Sequence, residues 1–214
     1  MEDTLHGTYL VRKISGDESS IILSDVEISV IGEISLKIYI NGIEYASLLC
    51  LNQLTEELAL GFLYSEGIID TIDDVASISY NERLFAVMIN LVAGKTIEKC
   101  ESLRSVTSGC GKCFTYINPL KQDKFIVLSG NNQFSLLAIM EAMKDFERRS
   151  EIHKNVGGVH SVLLQHNNFS VFNEDIGRHN AVDKAVGHCL LRGIPLADKL
   201  LLCSGRLSYE MVTK

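Results

Sequence analysis

The stretch Glu174-Asp175-Ile176-Gly177-Arg178-His179-Asn180-Ala181-Val182-Asp183-Lys184 decides the fold class. Upstream of it, residues 159–164 and 169–172 read as strands around the turn residues His166-Asn167-Asn168, so they form a hairpin. Downstream, Val182, Val186, Cys189 and Leu190 make the apolar stripe of a helix that starts near Asn180. Residues 199–203 read as a short buried strand, left by Ser204-Gly205-Arg206, and Ser208-Tyr209-Glu210 looks like the first turn of another helix. Strand and helix alternate, which makes this third of the chain α/β. A domain seldom ends one turn into a helix that follows a buried strand, so the natural protein is expected to continue beyond Lys214.

Working back, the region before it has another character. Residues 102–115 show no clean period and contain Ser108-Gly109-Cys110-Gly111-Lys112-Cys113, a glycine-loosened loop. Ser135 is a good N-cap, and Leu136, Met140, Met143 and Phe146 follow at helical spacing. The first hundred residues are β-rich. Val26, Ile28 and Val30 alternate with polar residues, as do Ile34, Leu36, Ile38 and Ile40. Asn41-Gly42 then marks a hairpin turn, since both residues tolerate positive φ. A helix capped by Thr55 follows, with Leu58, Phe62 and Leu63 on one face and Gly67 as its stop. Residues 75–80 and 84–92 read as strands. The expected organisation is a β-rich region with one helix over 1–104, a mobile Cys-x-x-Cys loop and connection over 105–130, and an α/β core over 131–214.

The chain has 214 residues, 46% hydrophobic and 22% charged, enough to bury a core without staples. The net charge is −7, which argues against nucleic-acid binding through the phosphate backbone. No run of 18 apolar residues and no signal peptide is seen, so a cytoplasmic protein without membrane contact is expected. In that compartment Cys50, Cys100, Cys110, Cys113, Cys189 and Cys203 are thiols. Cys50, Cys189 and Cys203 sit in apolar patterns and read as packing residues, and Cys100 has no assigned role.

Cys110 and Cys113 are the candidates for chemistry. Gly109 and Gly111 let the backbone bend and expose the sulfurs, and Lys112, with Arg104 nearby, favours the nucleophilic thiolate. A structural zinc site needs four ligands, usually two such pairs, and one pair occurs here, so no metal is expected. In the deciding stretch, seven of eleven residues are polar or charged. His179 and Asp183 share a helix face and Asn180 and Lys184 the next, while Arg178 and Lys184 offer positive charge to an anion. A solvated helix start would look similar. Its place at the end of a strand, where α/β folds bind ligands, favours a site. Gly157-Gly158 with His160, and Ser204-Gly205-Arg206, add backbone approach and a second guanidinium.

Together these motifs resemble the formate dehydrogenase accessory sulfurtransferases, the FdhD family. The matching blocks are residues 56–69, 109–113, 157–161, 174–184 and 203–211, in the family's order. The resemblance implies a mixed sheet with helices on both faces, similar to cytidine deaminase, behind the β-rich N-terminal region. It implies a sulfurtransferase that takes persulfide sulfur from a cysteine desulfurase onto Cys110, helped by Cys113. The sulfur would go to the bis-(molybdopterin guanine dinucleotide) molybdenum cofactor required by formate dehydrogenase, with a guanine nucleotide as partial mimic and a homodimer as the assembly. Gly158, His160, Asp175, Arg178, His179, Asn180, Asp183, Lys184, Ser204, Gly205 and Arg206 would bind that cofactor. Arg178, Lys184 and Arg206 would meet its phosphates, and Asp175 or Asp183 a guanine edge.

Three departures from the family pattern stand out: Phe114 where Gly is frequent, Leu51-Asn52 in place of Thr-Pro, and a further C-terminal stretch that is not in this sequence. Two other readings compete. One is a non-catalytic holder of the cofactor or of the apo-dehydrogenase. The other is a zinc deaminase, which needs His-x-Glu and Pro-Cys-x-x-Cys. Neither occurs here, since His179-Asn180-Ala181 and His160-Ser161-Val162 lack the Glu and no Pro precedes Cys110.

Overall fold

A computed structural model describes residues 5–17, 20–95, 103–108, 111–116 and 133–213, with the backbone alone for 103–108 and 111–116. Eleven strands and five helices are found among them. β1 (His6–Asp17) and β2 (Ser20–Ile31) pair as an antiparallel ribbon. β3 (Ile34–Ile40) and β4 (Ile43–Cys50) form the expected hairpin, with Asn41 and Gly42 at φ 49° and 79°. Both values lie in the left-handed region that Asn-Gly turns require. β5 (Val75–Asn81) and β6 (Ala86–Leu91) join the sheet through β6, which runs parallel to β3.

Within the expected loop, residues 103–108 and 111–116 are strands. β7 (Leu103–Ser108) pairs with β8 (Gly111–Tyr116) in register from Ser108–Gly111 outward. β8 in turn lies on β4, Ala46 opposite Thr115 and Ser47 opposite Phe114. The six-stranded sheet is therefore ordered β5-β6-β3-β4-β8-β7. The sequence hides these strands because Gly109, Gly111 and the serines dilute the alternation that marks a half-buried strand.

α1 (Thr55–Ser65) covers this sheet. Leu36, Ile38, Ile40 and Leu48 of the hairpin pack against Leu58, Phe62 and Leu63. Thr55 does not cap α1: it is the first helical residue and is buried, and Leu54 holds the cap position in the left-handed conformation at φ 53°. Instead of one apolar face, Leu58 through Leu63 are all buried, because α1 lies between the sheet and α4 (Arg178–Leu191).

The remaining strands are β9 (His160–His166), β10 (Phe169–Asp175) and β11 (Leu200–Cys203), ordered β10-β9-β11. Both neighbours are antiparallel to β9. α4 packs on the face of Val162, Leu164 and Val171. α2 (Leu136–Arg149) takes the opposite face, where Phe146 meets Phe172 edge-on at 5.9 Å between ring centroids. Ser135 caps α2, its hydroxyl accepting from the N–H of Ala138 at 3.1 Å. Only Ala142 and Phe146 of α2 are buried, whereas Leu136, Met140 and Met143 remain exposed. α3 (Glu151–Asn155) and α5 (Tyr209–Thr213) are one-turn helices. The chain is thus mixed α/β with a β-rich first half. Among the described residues no helix is long and apolar enough to cross a membrane.

Candidate functional site

Antiparallel pairing brings the start of β9 and the ends of β10 and β11 to one edge of the three-stranded sheet. His160 stands opposite Asp175, and Val162 opposite Cys203. α4 begins there, two residues earlier than the stripe alone indicates, with Gly177 as its cap residue. Ile176-Gly177 makes the corner, and a side chain at Gly177 would press on the Asn180 amide at 3.0 Å.

The outer layer of this edge is accessible. The Ser204 hydroxyl accepts from the N–H of Ser161 at 3.0 Å and lies 3.4 Å from Nδ1 of His160. The N–H of Gly205 donates to Sγ of Cys203 at 3.4 Å, so this thiol, read as a packing residue, also shapes the loop. Arg178 lies across Gly205, where a Cβ would sit 2.9 Å from its Cδ. Only glycine lets the guanidinium stem pass so closely. Nε of Arg178 and Oγ of Ser208 are buried with no hydrogen-bond partner among the described residues. Such groups cost stability unless a partner arrives. Ser208 is not among the sequence candidates; its place just before the Tyr209-Glu210 turn is the available signal. Nε2 of His179 lies 3.8 Å from the Glu210 carboxylate, so the start of α4 stands beside α5. Arg206 and Gly158 are exposed, the latter at φ 73°.

His160 has its pKa pushed below the ordinary imidazole value, first by burial, then by the positive charges of Arg178 and His153, against a weaker pull from Asp175. It is therefore mainly neutral at pH 7 and can exchange a hydrogen bond with Ser204 without adding charge.

The inner layer is buried. Asp175 and Lys184 are fully covered, and Nζ of Lys184 lies 2.6 Å from Oδ2 of Asp175. Asp175 Oδ1 also accepts from the N–H of Gly177 at 3.0 Å and from Nδ2 of Asn180 at 2.8 Å, and Oδ2 accepts from the N–H of Leu51 at 3.2 Å. Nδ2 of Asn180 donates as well to the carbonyl of Leu49 at 2.8 Å. Asp183 accepts from the Ser65 hydroxyl at 2.7 Å. These atoms are engaged by protein groups: Lys184 by Asp175, and Asp175 and Asp183 by donors from Leu51, Gly177, Asn180 and Ser65. Glu174, also buried, accepts from the N–H groups of Ile152 and His153 at the first turn of α3 and from the Ser161 hydroxyl.

Of the sequence candidates, Gly158, His160, Arg178, His179, Ser204, Gly205 and Arg206 gather on the outer layer, with Asp175, Asn180, Asp183 and Lys184 behind them. Cys110 lies outside the described residues. Cys113 falls in β8 opposite Val106, and the backbone of β7 comes against α4. Among the described residues no group of three or more His, Cys, Asp or Glu could hold a metal ion.

A sequence model of the FdhD/NarQ family matches residues 31–214. The chain belongs to this family. The "Sulfur carrier protein FdhD" of Bacillus subtilis (strain 168) is 35% identical over 196 residues, covering 90% of this chain and 74% of the relative. The protein of the same name from Wolinella succinogenes is 35% identical over 218 residues, covering 98% of this chain and 74% of its own length. In three dimensions this FdhD/NarQ member is similar to a chain from Desulfotalea psychrophila, described as a formate dehydrogenase accessory protein. The TM-score is 0.76 at 21% identity, over 96% of this chain and 78% of that one. At that identity the likeness speaks for the shared fold.

Proposed function

We propose that this FdhD/NarQ member is a cytoplasmic sulfur carrier that serves formate dehydrogenase, with Cys110 as the carrying thiol. Its thiolate attacks the outer sulfur of a persulfide on a cysteine desulfurase. The desulfurase cysteine leaves as a thiolate, and Cys110 holds the persulfide. The outer sulfur then passes to the molybdenum of the bis-(molybdopterin guanine dinucleotide) cofactor, which is cargo and substrate here. If Cys113 attacks the Cys110 sulfur, the terminal sulfur leaves with its electron pair as hydrosulfide. A Cys110–Cys113 disulfide remains, for a cellular dithiol to reduce.

The observation that supports this reading is a set of donors with no partner among the described residues at the start of α4, the helix that β7, paired with the Cys113-bearing β8, comes against. The first turn of α4 presents Arg178. Nε of Arg178 and Oγ of Ser208, which have no partner among the described residues, suit the phosphates of a dinucleotide together with exposed Arg206. Neutral His160 and Ser204 offer uncharged hydrogen bonds beside them. In this reading the buried Asp175, Asn180, Asp183 and Lys184 hold the edge in place, and two copies of the chain form the working dimer.

Incubation with a cysteine desulfurase and cysteine should add the mass of one sulfur to Cys110. Cys110→Ala should leave formate dehydrogenase inactive. Full activation by Cys110→Ala/Cys113→Ala would replace this reading with that of a non-catalytic cofactor holder. Arg178→Gln should weaken binding of GDP about tenfold or more, as expected for loss of a charge-assisted contact of roughly 1.5–3 kcal/mol.

A further inference from the structure

We infer that the buried Asp175–Lys184 pair, with Asn180, is a positioning device that sets the anion-facing turn of α4 in fixed register with the strand carrying the cysteine hairpin. The inference rests on the sulfur-carrier reading and adds residues that act through others, touching neither sulfur nor cargo.

The connection can be followed bond by bond. β8, which contains Cys113, is hydrogen-bonded to β4 at Ala46 and Ser47. β4 runs on to Leu49 and Cys50, and Leu51 follows. There the carbonyl of Leu49 accepts from Asn180 Nδ2, and the N–H of Leu51 donates to Asp175 Oδ2. The other oxygen of the same carboxylate holds the N–H of Gly177, one residue before Arg178. One buried carboxylate thus grips the end of β4 with one oxygen and the start of α4 with the other. Lys184, further along α4, neutralises it at 2.6 Å.

The surroundings make the link stiff. At Gly61 a Cβ would sit 1.9 Å from the carbonyl oxygen of Asp183, and at Gly187 1.8 Å from that of Glu57. α1, which starts at Thr55 shortly after Leu51, is therefore pressed backbone to backbone on α4. Ser65 closes the same contact by donating to Asp183. Packed cores transmit displacement instead of absorbing it. A transfer between groups on two elements depends on their relative placement, and about 1 Å of error can cost on the order of a hundredfold in rate.

The test separates positioning from stability. Asp175→Asn leaves the Lys184 ammonium buried without its counter-charge, so the protein should unfold at a much lower temperature. Asp175→Asn/Lys184→Met removes both charges at similar volume and should melt within about 5 °C of the parent. In the double variant, the amide oxygen that replaces Oδ1 of Asp175 still accepts from the N–H of Gly177. GDP should therefore bind within about threefold of the parent, and Cys110 should load sulfur as before. The grip on Leu51 stays lost, so activation of formate dehydrogenase should remain at least about tenfold down. Activation that recovers together with melting temperature would overturn the inference, as would GDP affinity that collapses with activation. Asn180→Ala cuts the Leu49 strap without burying a charge. It should show the same split between loading and activation, and parent-like activation there would also overturn the link. Failure of the parent protein to load sulfur on Cys110 would instead remove the sulfur-carrier reading.

Discussion

Leu10, Ile14 and Ile21 of the β1–β2 ribbon are 71%, 70% and 75% exposed, while Lys184 and Asp175 at the α1–α4 junction are fully covered. Residue type alone would have placed these two groups the other way round. The ribbon is a two-stranded sheet, and among the described residues no third strand pairs with it. Its apolar side chains have little to pack on, and a ribbon of this kind is marginal alone. At the junction, each buried charge meets a defined partner: Asp175 accepts from four donors. Burial follows from whether an element has a partner, and a charge can go inside once its hydrogen bonds are made there.

The contrast can be broken by mutation. Asp175→Ala should give the largest loss, about 3–5 kcal/mol in urea denaturation, because it strands a buried ammonium. Lys184→Met should cost less, since Asp175 keeps the donors of Leu51, Gly177 and Asn180. A larger loss for Lys184→Met would mean that the lysine, and not the carboxylate, organises the junction.

Gly187→Ala should cost about 1–3 kcal/mol, because its methyl group would push α1 and α4 apart. An unchanged melting temperature would show that the helices can separate freely.

Acidification from pH 7 to pH 5 should lower stability. The folded-state pKa values of His160 and His188 lie below the ordinary value, chiefly through burial. The unfolded chain therefore binds more protons in this window, so the stability present above the unfolded pKa falls as pH drops. Asp74 and Asp145, held low mainly by Lys95 and Arg148, add a similar loss only below the ordinary carboxylate range. His160→Gln should flatten the pH 7 to 5 slope, and an unaltered slope would assign the effect elsewhere.

At the far end of the scale, Ile14→Ser or Leu23→Ser on the ribbon should change stability by no more than about 0.5 kcal/mol. A loss of several kcal/mol, measured at low protein concentration, would show that the ribbon is covered after all.

Much of the fold was legible wherever a local rule acts alone. Asn41-Gly42 fixed a turn, and Ser135 capped a helix. The alternation of β3 and the stripe of α4 named their elements. The rules failed where a neighbour intervened. Thr55 does not cap α1, since the corner after Leu51 already sets the entry through Leu54. Residues 103–108 and 111–116 read as loop alone but become β7 and β8 once β4 supplies an edge to pair with. In the departure Leu51-Asn52, the Asn52 side chain takes a hydrogen bond from the Tyr80 hydroxyl, a partner 28 residues away.

The candidate site divides in the same manner. The chain by itself determined which residue types converge among the described residues: a polar strand-to-helix corner and two glycine-bearing turns. Those depend on spacing along the backbone, which a linear pattern carries in full. Tertiary structure alone decided which charges face outward. Arg178 and Lys184 are both cations six positions apart on one helix. One lies across Gly205 with a donor that has no partner among the described residues, while the other is locked on Asp175. That assignment comes from the approach of Leu51, Ser65 and Gly61, more than a hundred residues earlier in the chain. Contacts at that separation leave no periodic trace near either residue.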